Sequence, residues 1–198
     1  MGKNYVFGNP PSAVAPALIC VLLWSTVASG FKLGLEHFAV EQLLFLGTCI
    51  SWLVFLCYAI VTNQLALAAS DRALAVGLGL INPTAYYLIL FAAYDRLPAH
   101  IAQPINYTWA ITLALLAVPI LGQRLTLRSL WGILTSYLGV VILVTTTPGE
   151  AGSISTQGVA LALLSTVLWA SYWLLNTRST AAPASLMFWS FSLALPII

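Results

Sequence analysis

The chain has 198 residues, of which 61% are hydrophobic and 6% are charged, whereas soluble domains have roughly 45–50% apolar and about 25% charged residues. This composition excludes an ordinary water-soluble domain. The formal net charge is only +2, and the basic residues are too dispersed to form a nucleic-acid-binding surface. The sequence therefore predicts a protein whose first partner is the lipid bilayer and which binds no nucleic acid.

The charged residues divide the chain into seven charge-free stretches of at least 20 residues each. About 20 apolar residues are needed for a helix to cross the hydrocarbon core. The stretches lack the period-two alternation of a membrane strand, so helices are predicted rather than a barrel. We predict spans 1 to 7 at about residues 14–34, 42–62, 74–94, 99–118, 129–146, 157–176 and 183–198. The fold class is thus an all-α polytopic membrane protein with seven transmembrane helices.

The basic residues also predict the orientation of the chain. With a cytoplasmic N-terminus, five of them lie in inside segments and two in outside segments, as the positive-inside rule requires. The inside set is Lys3, Arg72, Arg124, Arg128 and Arg178, and the outside set is Lys32 and Arg96. We therefore expect a multi-pass integral protein of the plasma (inner) membrane with its N-terminus in the cytoplasm.

Two segments, Ala17–Thr26 and Ala162–Ser171, match each other along the sequence. Four of their ten positions are identical, and one identity places Trp24 over Trp169. The segments lie in spans 1 and 6, so an odd number of crossings separates them and the second copy enters the membrane in the opposite orientation. Inverted repeats of this kind build many transporters, with the substrate site near the midplane.

Three segments resemble a known family. They are LLWSTVASGFKLG in span 1, the stretch from YDRLPAHIAQPINYTW to TSYLGVVILV across spans 4 and 5, and LLSTVLWASYWLLNTR in span 6. Together they resemble the EamA-type, ten-helix branch of the drug/metabolite transporter superfamily. NYTW at Asn106–Trp109 and LWASYW at Leu168–Trp173 are similar to its aromatic amino acid exporter subgroup. The chain departs from the pattern at Gly47 in span 2, where such proteins often carry an arginine.

The resemblance implies a complete five-helix repeat over residues 1–148 and the first two helices of an inverted second repeat over residues 157–198. By this pattern the chain is C-terminally truncated. It implies a secondary transporter of small metabolites and no enzyme, with export of an aromatic or neutral amino acid by alternating access. A different interpretation stays open, in which the chain is a non-transporting fragment, or a subunit that needs further copies of itself or a complementing chain.

Polar and aromatic residues inside the spans are the candidate substrate-binding residues. In span 6, rings and amides recur along one helix face, and Trp169 lies too deep for an interfacial aromatic belt. In span 3, Pro83 removes the backbone donor to the Gly79 carbonyl and predicts a kink. The predicted substrate-binding residues are Trp24, Asn82, Tyr86, Asn106, Tyr107, Trp169, Tyr172 and Asn176.

A structural role is the alternative for each of these residues, because amides bonded across helices and packed rings also hold membrane bundles together. No carboxylate is expected at mid-depth, since all five are placed in connections, and carboxylate-based proton antiport is therefore not expected. Span 5 carries a face of small residues, Gly132, Ser136 and Gly139, that is predicted to pack closely against another helix. The sequence predicts no catalytic group, no metal site and no cofactor.

Overall fold

The computed structural model describes residues 10–146 and 154–198, so Lys3 and Glu150 lie outside the described residues. All regular elements in these ranges are helices. They are α1 Pro10–Leu35, α2 Val40–Val61, α3 Ala69–Arg96, α4 Ala99–Leu121, α5 Leu127–Thr146, α6 Thr156–Asn176 and α7 Pro183–Ala194. Five of them, α1 to α4 and α6, are long and apolar enough to cross a membrane, whereas α5 and α7 offer shorter apolar stretches. The prediction of an all-α polytopic membrane protein is confirmed.

Several helix ends extend past the predicted spans and take in carboxylates. α3 begins at Ala69 rather than at residue 74, and Asp71 lies buried in its first turn, where it accepts a hydrogen bond of 3.0 Å from the Ser179 hydroxyl. Glu41 lies in the first turn of α2 and Asp95 in the last turn of α3. The expectation that all carboxylates lie in connections is therefore wrong. A carboxylate in a first turn interacts favourably with the helix dipole, so it does not end the helix.

α3 is interrupted near its middle, as the proline predicts. Asn82 has φ −137° and ψ 115°, the extended conformation that a residue before proline favours. The two helical halves of α3 meet at a kink within Leu80–Ala85. The Thr84 hydroxyl donates a hydrogen bond of 2.9 Å to the Gly79 carbonyl. A side chain thus replaces the donor that Pro83 lacks, as the absence of water inside a bilayer requires.

α6 is the central helix of the bundle. It packs against the second half of α3 and against α4, while α7 packs against the first half of α3 and against α2. The contact between α3 and α7 is close, because a Cβ added to Gly79 would collide with the main-chain carbonyl of Ser190. At the other end of α3, the Lys32 amine of α1 donates a hydrogen bond of 2.5 Å to the Tyr94 carbonyl. The two halves of α3 therefore have different neighbours.

α5 lies at the edge of the bundle, beside the first half of α4. The predicted close packing of its small-residue face is wrong for the described chain, since a Cβ added to Gly132 or Gly139 would meet no heavy atom within 4 Å. Its large apolar side chains are exposed as well, with Trp131 at 62%. Exposed apolar side chains are unfavourable in water but favourable in lipid, so they are compatible with α5 lying in a bilayer.

Candidate functional site

Two adjoining cavities lie between the helices. Cavity A has a volume of about 390 Å³ and is lined by α1, α2, α3, α6 and α7. Cavity B has a volume of about 680 Å³ and is lined by α1, α3, α4 and α6. Their shared wall consists of Trp24, Phe31, Tyr87 and Trp169. Both volumes fall in the range of small-molecule sites, roughly 300–1,000 Å³.

All eight residues predicted for substrate binding line one or both cavities. Those in the wall of cavity A are Trp24, Asn82, Trp169, Tyr172 and Asn176. Those in the wall of cavity B are Trp24, Tyr86, Asn106, Tyr107 and Trp169. Side chains from four helices that are distant in sequence are thus brought together, although their contact with a substrate remains a prediction.

Trp169 is the centre of an aromatic cluster. Its indole ring stacks on the ring of Tyr86, with centroids 4.5 Å apart, and on the ring of Tyr172, with centroids 5.5 Å apart. Trp109 and Trp173 approach it edge-on, at centroid distances of 6.3 and 6.1 Å. Neighbouring rings restrict the indole on several sides, so it forms a fixed partition between the two cavities.

Asn106 is held in a buried hydrogen-bond network that joins α3, α4 and α6. The Tyr86 hydroxyl donates to its Oδ1 at 3.4 Å, and its Nδ2 donates to Ser165 Oγ at 2.9 Å. Ser165 in turn donates to the Ala162 carbonyl at 2.6 Å. Both ends of the Asn106 amide therefore have protein partners, and the structural role that the sequence left open is present.

Asn82 has the opposite character. It lies at the interruption of α3 and is 6% exposed, and within the described chain its Oδ1 has no hydrogen-bond partner. Its side chain interacts with the Tyr172 hydroxyl, which donates to the Met187 sulfur at 3.4 Å. A thioether is a weak acceptor. Cavity A thus contains polar groups whose hydrogen-bonding capacity the protein does not fully use.

Tyr107 lies at the rim of cavity B rather than in its depth. Its side chain is 49% exposed, and its hydroxyl accepts a hydrogen bond of 2.7 Å from Gln103 Nε2. Among the eight predicted residues it is therefore placed to meet a molecule at the edge of the cavity.

The sequence did not predict the contribution of α2. Gly47, Thr48, Ser51 and Phe55 line cavity A, and the helical spacing of Thr48 and Ser51 was the available signal. Gly47 occupies the position at which members of the family that the sequence resembles often carry an arginine. Consequently no charged side chain of the described residues lines either cavity.

The walls can hold an apolar or aromatic body and can hydrogen-bond neutral polar groups. The described residues contain no group of three or more His, Cys, Asp or Glu side chains that could hold a metal ion. The chemistry that the two cavities support is therefore binding through ring faces, amides and hydroxyls.

No curated protein and no solved structure matches the chain. The model of the EamA-like transporter family matches residues 11–145, a range that runs from α1 to α5 and covers more than half of the 198 residues. Members of this family are membrane transporters of small metabolites. The helices, the two cavities and this match together show that the chain belongs to the EamA-like transporter family.

Proposed function

We propose that the chain carries aromatic or neutral amino acids out of the cell by alternating access, with cavities A and B as its substrate site. The observation that supports this most directly is the shared wall, in which Trp169 stacks on the rings of Tyr86 and Tyr172. Flat ring faces give a large contact area for an apolar side chain. The amides and hydroxyls around them suit the polar end of a small molecule.

The absence of charge in the walls supports a substrate whose net charge is near zero. An isolated charge taken from water into an apolar site is costly unless a partner of opposite charge meets it. The described residues around both cavities supply no such partner. Glutamate and lysine are therefore expected to bind much more weakly than phenylalanine or tryptophan.

The organisation into repeats is part of this proposal. The first five-helix repeat spans residues 1–148, and residues 157–198 begin a second, inverted repeat. Alternating access requires one repeat to move against the other around a common site. Since α6 lines both cavities and α7 lines cavity A, the chain should bind substrate between the two repeats.

The decisive experiment measures binding and flux with the same purified protein in lipid vesicles. We expect saturable binding of phenylalanine and tryptophan and weak binding of glutamate and lysine. Flux of phenylalanine would show that copies of this chain suffice for transport, whereas binding without flux would favour a subunit that needs a complementing chain. Failure to bind any aromatic or neutral amino acid would contradict the proposed substrate class and would favour a non-transporting fragment.

A further inference from the structure

The unpartnered oxygen of Asn82 lies in an unusual place for such an atom. A buried polar atom without a hydrogen bond costs free energy, and native proteins contain few of them. This one belongs to a side chain that lines cavity A at the point where α3 is interrupted. Interrupted helices form substrate sites in other transporters. An incoming molecule that carries a hydrogen-bond donor would remove the deficit.

The surroundings of Asn82 indicate which kind of donor fits. Trp169, Tyr172 and Trp173 line the same cavity, and the faces of aromatic rings attract cations. The oxygen itself is the negative end of the amide dipole. A positively charged N–H donor would therefore be stabilised by the oxygen and by the rings together, whereas a carboxylate would meet no basic side chain among the described lining residues.

We propose that Asn82 selects substrates that carry a primary ammonium group, with its Oδ1 accepting a hydrogen bond from the ammonium N–H in cavity A. The proposal rests on the proposed function, because it assigns one polar contact within the same site. The torsion that orients an asparagine amide is soft. A small rotation of the amide thus suffices for the buried oxygen to meet a donor in the cavity.

The two asparagines of the site then have different roles. Both ends of the Asn106 amide are used by Tyr86 and Ser165, so Asn106 is a positioning residue that acts through Tyr86 on the stacked Trp169 ring. Asn82 keeps a free acceptor and contacts the substrate. This assignment separates a residue that fixes the shape of the wall from one that recognises a functional group.

Three probes of similar size test the proposal by equilibrium binding to the purified chain in lipid. L-Phenylalanine has an ammonium and a carboxylate, 2-phenylethylamine has only the ammonium, and 3-phenylpropionate has only the carboxylate. We expect L-phenylalanine, whose net charge is zero, to bind most tightly, and 2-phenylethylamine to bind at least about tenfold more tightly than 3-phenylpropionate, which also carries one charge; tenfold is the size of one charge-assisted hydrogen bond. Asn82→Leu should reduce this ratio several-fold, toward the smaller preference that the ring faces alone provide.

Asn82→Asp separates recognition from a merely structural role. A carboxylate keeps the acceptor and adds a negative charge, so the preference for 2-phenylethylamine should persist or increase, even if Asn82→Leu fails to fold. Loss of the preference in Asn82→Asp would overturn the proposal, as would equal binding of the three probes by the wild type. In the latter case the aromatic site itself would stand. If the wild type bound none of the probes, the proposed function would fail together with the inference.

Discussion

The indole of Trp169 belongs to both cavity walls, which makes it the side chain whose removal should change the site most. The ring stacks on both Tyr86 and Tyr172. Its loss would join the two cavities and remove a lining side chain from each. Removal of a tryptophan that lines neither cavity would leave both cavities intact, and this difference can be measured.

We expect Trp169→Ala and Tyr172→Ala to weaken phenylalanine binding by more than tenfold per folded molecule. Removing a buried tryptophan commonly costs about 3–5 kcal/mol of stability, so the amount of folded protein must be measured beside the binding. Trp131→Ala is the matched control, because this ring is 62% exposed on α5 and lines neither cavity. If binding falls only in proportion to the folded fraction, the face of rings and amides on α6 has a structural role.

The hydrogen bond between Asn106 and Ser165 should contribute measurably to stability. A double-mutant cycle with Asn106→Ala and Ser165→Ala isolates the 2.9 Å bond from the other losses. Interhelical hydrogen bonds in membrane proteins average about 0.6 kcal/mol and reach about 1.7 kcal/mol, and this buried pair should give a coupling near 1 kcal/mol. Unfolding in detergent provides the measurement, and strictly additive effects would show that the bond is not stabilising.

At this scale the sequence predicted which side chains share one helix face but not which partners they meet. The spacing of Ser165, Trp169 and Asn176 on one helix placed them on one face, because that depends only on helical geometry. Ser165 and Asn106 are 59 positions apart in the sequence, and their pairing depends on how their two helices are oriented. Periodicity within a single helix contains no information on that, so the roles of the two asparagines could not be distinguished.

The contact between α3 and α7 leaves no room for an added side-chain atom at Gly79. Gly79 faces the main-chain carbonyl of Ser190, whereas a Cβ on Gly77 would meet nothing within 4 Å. Gly79→Ala must therefore push α7 away and should lower the free energy of unfolding by about 1–3 kcal/mol. Gly77→Ala should be neutral or stabilising by up to about 1 kcal/mol, because alanine favours a helix more than glycine does.

Thermal unfolding of the two glycine variants in the same detergent gives a comparison within one helix. Similar midpoints for both variants would contradict the close approach of α3 and α7. Retained phenylalanine binding by Gly77→Ala would further show that the mutated helix still completes cavity A.

The order of the helices in the described residues followed from charge placement, because charged residues separate the apolar stretches, although only five of these helices are long enough to cross the bilayer. The ends of the helices were predicted less accurately from the sequence. Asp71 lies inside α3 rather than before it, since a first-turn carboxylate is tolerated by the helix dipole. The contribution of α2 to cavity A was missed because Thr48 is buried by packing against other helices. The almost uniformly apolar sequence of α2 gives no sign of that packing.

For the molecule as a whole, the orientation in the membrane is the most direct prediction to test. With the N-terminus inside, Ala39 lies outside and Ser70 inside, and both side chains are exposed. A single cysteine at either position, in a background without Cys20, Cys49 and Cys57, should react with an impermeant reagent from opposite sides of the membrane. Labelling of both from the same side would refute the orientation.

The interruption of α3 also has a mechanical consequence. An unbroken helix would behave as a stiff rod and would oblige α6 and α7 to tilt together, because each of them packs on a different half of α3. The extended residue Asn82 acts instead as a joint between two levers. A molecule seated in cavity A would lie beside this joint, because Asn82 lines that cavity. Its contacts could then favour one angle between the two halves of α3 over another.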